Sequence, residues 1–159
     1  MKMKSIIAAA LCWSVQFYAV PSGAAASTQP KQRRIWMAVG EHRLSVSLAD
    51  NEAARAFAAA LPLTLDMPDL NGNEKHAKLP KALPAEASRP GTIHTGDVML
   101  WGADTLVVFY LTFDSPYSYT RLGRIDSPAS LADVLAPGQV RITFSDESSG
   151  SLEQDGCCW

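Results

Sequence analysis

The chain has 159 residues, 47% of them hydrophobic, with 14 basic against 16 acidic residues and a formal net charge of −2. That length suits one domain with a real core. With no basic excess and no basic cluster beyond Lys31-Gln32-Arg33-Arg34, nucleic acid is excluded as an expected partner.

The first thirty residues, MKMKSIIAAALCWSVQFYAVPSGAAASTQP, read as a secretory leader. Lys2 and Lys4 form a basic start, Ile6 to Val20 an apolar run, and Ala24-Ala25-Ala26 a small-residue cleavage site. The run is short for a transmembrane span, which needs about 20 apolar residues. Residues 1–26 are therefore expected to be removed, with no membrane association afterwards and a periplasmic or secreted location. Leu11 before Cys12 argues against lipidation, which wants a small residue there.

Residues 27–34 read as a polar lead-in. RIWMAVGEHRLSVSL then reads as a hairpin, with Leu44, Val46 and Leu48 alternating against polar neighbours and Gly40-Glu41 as a type II′ turn. DNEAARAFAAALP predicts a helix capped by Asp50 and ended by Pro62, with Ala53, Ala54, Phe57 and Leu61 on one face. LTLDM, 63–67, is a short strand. From Pro68 to Gly96 periodicity fades. Four prolines restrain this stretch, Asn71-Gly72-Asn73-Glu74 makes a turn, and KHAKL suggests a short strand. A loop of this length in a small domain usually carries function or is disordered.

GDVMLWG and TLVVFYLTF predict two adjacent buried strands. Leu106 to Leu111 are apolar on both faces, as in a central strand covered on both sides. Ser127-Pro128 opens a second helix with Leu131, Val134 and Leu135 inward, and Pro137-Gly138 stops it. QVRITF is a last strand. The tail SDESSGSLEQDGCCW, residues 145–159, holds four acids and no basic residue, and is expected to be flexible. Neighbouring Cys157 and Cys158 staple nothing distant together. They leave open a disulfide-linked dimer in an oxidising compartment. The pattern as a whole predicts a mainly β, closed, mostly antiparallel barrel of about eight strands with two capping helices.

Several blocks in order carry a resemblance: DNEAARAFAAALPLTLDMPDLNGNEK, then LP, RPGTIHTGDVMLWGADTLVVFY and YSYTRLGRID. Over residues 35–144 the chain resembles the bacterial cyclophilin-like fold proteins. That resemblance implies a closed β-barrel of about eight strands with two helices, and it carries no established activity. True cyclophilins present an arginine from a Phe-His-Arg segment, followed by a Gln-Gly-Gly-Asp block. Here the nearest string is Ile93-His94-Thr95-Gly96-Asp97, which has neither.

In FDSPYSYTRLGRID, Tyr117, Tyr119 and Arg121 alternate. An extended backbone would aim all three from one face, as an aromatic patch with a guanidinium for a carboxylate or carbonyl. The alternative is that the tyrosines cap the barrel and Arg121 pairs with Asp97 or Glu74. Asn73, Glu74 and His94 complete the candidate ligand-binding set. His94 and Asp97, three apart, are an acid–base pair in principle, and His76 a third member. No nucleophile lies in a Gly-x-Ser-x-Gly setting and no spacing demands a metal, so no catalytic residue, metal or cofactor is assigned. Trp101 and Tyr110 read as core or rim packing. The expected function is a non-catalytic module binding a peptide segment or small anionic ligand in a cleft edged by the 68–96 loop and the Tyr117/Tyr119/Arg121 row. The alternative is a prolyl isomerase with a rebuilt site, Arg121 supplying the cation.

Overall fold

The computed structural model describes residues 32–135 and 138–147. The leader, most of the lead-in, both tail cysteines and the Pro137 helix stop lie outside the described residues. Within them are eleven strands and two helices.

Strands β1 (Arg34–Val39) and β2 (His42–Leu48) form the expected hairpin, Val39 pairing with His42. Gly40 sits at φ 57 and Glu41 keeps a negative φ, which suits a turn needing glycine first. Helix α1 spans Glu52–Ala59 and buries Ala53, Ala54, Phe57 and Ala58. Its cap is Asn51 rather than Asp50. The Asn51 Oδ1 accepts the Ala54 N–H at 2.8 Å while Nδ2 donates to the Arg121 carbonyl at 2.7 Å. A carboxylate can only accept, so asparagine, unlike aspartate, can both cap the helix and tie it to a strand. Asp50 instead accepts from Arg55.

Next come β3 (Leu63–Met67), β4 (Asp69–Leu70) and β5 (Glu74–Lys78). Asn71 (φ 56) and Gly72 (φ 70) make the tight turn between β4 and β5, with the Gly72 N–H on Asp69. The region expected to be a loop thus holds β5, where KHAKL suggested a short strand, together with β4 before it and, further on, β6 (Gly91–Ile93). The segment between β5 and β6 is pinned. The Leu79 and Leu83 N–H groups each donate at 2.7 Å to the carbonyls of Asp104 and Ala103. Strands β7 (Asp97–Trp101), β8 (Thr105–Phe109), β9 (Phe113–Ser115) and β10 (Thr120–Ile125) follow. Helix α2 begins at Leu131 rather than at Ser127 and runs to Leu135. A turn bonding the Leu131 N–H to the Pro128 carbonyl takes up the start. Strand β11 runs Val140–Asp146, two residues into the segment assigned to the tail, where Arg33 meets Asp146 at 3.0 Å.

Nine strands form one antiparallel sheet in the order β3-β11-β1-β2-β10-β7-β8-β5-β4, and β6 pairs with β9 as a separate ribbon. The sheet curls until its ends nearly meet, the His76 N–H of β5 donating to the Pro68 carbonyl just after β3. The count exceeds the eight expected because β4, β6 and β9 have only two or three residues each. The barrel interior holds one continuous apolar cluster, which takes in the buried faces of both helices. Phe57 of α1 meets Phe144 of β11 edge to face at 5.5 Å.

Strand β10 bulges between Arg121 and Gly123. At Gly123 a Cβ would fall 2.6 Å from the Ser47 carbonyl oxygen of β2. Gly123→Ala is therefore expected to destabilise by about 2 kcal/mol, since backbone on both sides must shift. Urea unfolding of the pair checks this, and an unchanged midpoint would show that β2 and β10 separate freely.

Candidate functional site

Strand β8 divides its side chains between two cores. Leu106 and Val108, with Tyr110 just after the strand, point into the barrel. Val107 and Phe109 point outward and pack with Met99, Ile93, Tyr119 and Phe113. Ile93 and Phe113 belong to β6 and β9, so the small ribbon lies on the outer face of the sheet. Two-sided burial is why this strand is apolar throughout.

Beside the ribbon the outer face stays open as a cavity of about 570 Å³. Its floor comes from alternate residues of β5 (Glu74, His76 and Lys78) and of β8 (Thr105 and Val107). Phe113 to Tyr117, with Tyr119, form one wall; Leu70, Asn71 and Asn73 form another, and Trp101 stands at the edge. Trp101 is 56% exposed and Tyr117 63%, and Leu70 is also exposed, so the mouth has an apolar rim.

Two polar groups of the cavity, the Glu74 carboxyl and the Asn73 oxygen, are short of partners. Glu74 is only 7% exposed, and its carboxyl has no hydrogen-bond or ion-pair partner among the described residues. Burial, helped by the charge of Asp69, pushes its pKa up to about 7. The Asn73 Oδ1 is buried and accepts no hydrogen bond. Burial also raises the Tyr119 hydroxyl, with a Ser115 hydrogen bond opposing and nearby Glu74 and Tyr117 adding to the rise. Behind the floor the picture reverses. Lys75, facing inward, is fully buried and donates to Asp69 Oδ1 at 2.8 Å and to the Gly138 carbonyl at 2.6 Å. The Tyr110 hydroxyl donates to the same Asp69 oxygen at 2.6 Å. Those two bonds, Lys75 first, hold Asp69 below the usual carboxylate range. Burial and the bond to Asp69 push Tyr110 up to about 12.

The expected row of Tyr117, Tyr119 and Arg121 does not form. Tyr117 lies in a bend, Tyr119 pairs only as an isolated bridge with Ser88, and β10 starts at Thr120. Tyr119 and Thr120 are both buried, so alternation restarts there and Arg121 leaves on another side. Its guanidinium donates to Asp97 Oδ1 at 3.2 Å, with Arg124 Nε at 3.9 Å from the same atom. His94 is also outside the cavity. Its backbone N–H donates to Asp97 Oδ2 at 3.0 Å, while its ring Nδ1 stands 3.9 Å away. Asp97, wholly buried, thus works as a turn cap and an arginine anchor rather than as half of an acid–base pair. His76 lines the cavity, apart from His94.

A second concavity of about 530 Å³ lies beside Arg121, Arg124, Ser47 and Asp126. Its polar groups are already paired, Asp126 accepting from the Ser45 and Ser47 hydroxyls at 2.6 Å each. Among the described residues no three His, Cys, Asp or Glu side chains are grouped to hold a metal. Of the six residues expected to bind, the structure brings Asn73, Glu74, Tyr117 and Tyr119 together and leaves Arg121 and His94 apart. It adds His76, Phe113 and Trp101. The Glu-x-His-x-Lys alternation within the short strand was the available signal for His76.

Among solved structures, a hypothetical protein from Archaeoglobus fulgidus, determined in solution, matches with a TM-score of 0.47 and 19% identity. The match covers 72% of this chain and 95% of that one. No curated protein matches the chain significantly. The model of the cyclophilin-like family matches residues 37–145, from the first strand of the barrel to the last. The chain belongs to the cyclophilin-like family.

Proposed function

We propose that the protein is an exported, non-catalytic binding module that takes a peptide segment in the cavity beside the β6–β9 ribbon. The observation that carries this reading is the pairing of an apolar concavity with the unpartnered Glu74 and Asn73 groups in it. Ligand pockets are typically about 300–1,000 Å³, mostly apolar, with few polar groups fixing orientation. The exposed rim of Leu70, Trp101 and Tyr117 extends the apolar surface beyond the cavity, which favours a chain over a compact small molecule.

An anionic ligand fits less well. Glu74 and Asp114 line the cavity, and Arg121 is engaged with Asp97 elsewhere. Lys78 reaches Asp104 at 3.1 Å. The same ion pair with Asp97 counts against Arg121 as the cation of a rebuilt isomerase site. Export rests on the leader-like residues 1–26, outside the described residues.

The test is a fluorescence-anisotropy screen of a peptide library against wild type and Trp101→Ala. Trp101 is largely exposed, so its truncation leaves the barrel intact. Binding peptides are expected to lose about tenfold in affinity, the scale of a modest aromatic hot spot. Equal dissociation constants for the two proteins would move the site away from this cavity.

A further inference from the structure

We propose that the cavity reads a basic side chain: a lysine or arginine whose charged end meets Glu74 while its stem lies along Tyr117, Tyr119 and Trp101. The inference rests on the peptide-binding reading above and names what that site selects.

Glu74 is 93% buried from solvent as the complement of its 7% exposure, lines the cavity and has no partner among the described residues. The Asn73 Oδ1 beside it is a second acceptor without a donor. Asp114 adds an acid at the wall, one oxygen accepting from the Thr92 hydroxyl at 2.7 Å. The cation nearest in sequence, Lys75, is turned into the barrel, and Lys78 is given to Asp104. The Glu74 carboxyl and the Asn73 oxygen are thus acceptors that no neighbouring donor satisfies. An apolar side chain would leave the carboxyl of this largely buried residue unpaired, and an acidic one would meet it as a like charge. A basic side chain supplies the missing donors. Its methylene stem suits aromatic walls, and its charge is attracted to their faces.

Other titratable groups face the same space: His76 and Lys78 on β5, Asp114 on β9, and Tyr117 and Tyr119 on the opposite wall. Asp69 and Tyr110 lie behind. A bound cation favours the ionised carboxyl, so Glu74 gives up its proton on binding. With Glu74 titrating at about 7, affinity falls as pH drops below that value, approaching tenfold per unit.

The experiment is isothermal calorimetry of the full chain with peptides identical except for one lysine, norleucine or glutamate. At pH 8 the lysine peptide is expected to bind at least about tenfold tighter than the norleucine peptide, since a charge-assisted contact exceeds a neutral one. The glutamate peptide is expected to bind weakest. Glu74→Gln is expected to erase the lysine preference and its pH dependence. Equal affinity for lysine and norleucine in the wild type overturns the basic-residue inference while leaving peptide binding in place. Binding of none of the three overturns both. A pH dependence that survives in Glu74→Gln overturns Glu74 as the contact and points to His76.

Discussion

Lys75→Ala is expected to lower the unfolding free energy by about 2–4 kcal/mol, the scale for emptying the space of a buried side chain, with its half of an ion pair lost as well. The lysine is fully buried, and its Nζ bonds Asp69 and the Gly138 carbonyl. These contacts tie β5 to β4 and to the chain entering β11, across the seam where the sheet must close. The ammonium also lies 5.5 Å from the Tyr110 ring. Alanine deletes all of these and opens a cavity along the stem. Lys75→Met separates the two causes, since methionine refills the space without the charge. Urea midpoints of the three proteins decide it. A loss below about 1 kcal/mol in the alanine variant would mean that the seam closes without this residue.

Glu74→Gln is expected to stabilise the protein at pH 8 by up to about 3 kcal/mol and to change little at pH 4. The carboxyl titrates at about 7 in the folded state against an ordinary 4.5. Each unit of difference corresponds to about 1.36 kcal/mol. Below pH 4.5 the group is protonated folded and unfolded, and burial costs nothing extra. Between 4.5 and 7 the unfolded chain ionises while the folded one holds its proton, so stability declines as pH rises. Above 7 the loss is complete. Glutamine keeps the shape and cannot ionise. Unfolding curves at the two pH values give the sign directly, and a glutamine variant less stable than wild type at pH 8 contradicts the burial of an unpaired carboxyl. The gain would accompany weaker binding, the exchange expected when a group is kept unsatisfied for a ligand.

Local patterning carried much of the fold. Leu44, Val46 and Leu48 marked β2, and the doubly apolar β8 marked a strand covered on both faces. What covers its outer face was not legible. Strands β6 and β9 have three residues each, and they pair across about twenty residues of chain. The site was half legible for the same reason. Asn73 and Glu74 were legible as the loop edge of a cleft, and Tyr117 and Tyr119 as its other edge, but the two tyrosines were grouped by strand alternation through Arg121. That alternation breaks where the neighbours Tyr119 and Thr120 are both buried. Nothing in KHAKL marks Lys75 as buried; the closing sheet brings Asp69, Tyr110 and the Gly138 carbonyl around it. Trp101, read as packing, stands largely free at the cavity mouth.

The most direct measurement is a two-dimensional amide NMR titration of the protein with the lysine-bearing peptide. Perturbations are expected to gather on β5, on Phe113 to Tyr119 and at Trp101, around the cavity floor and rim. Perturbations centred instead on Arg121, Arg124 and Asp126, or saturable binding that leaves the β5 amides unmoved, would contradict the account.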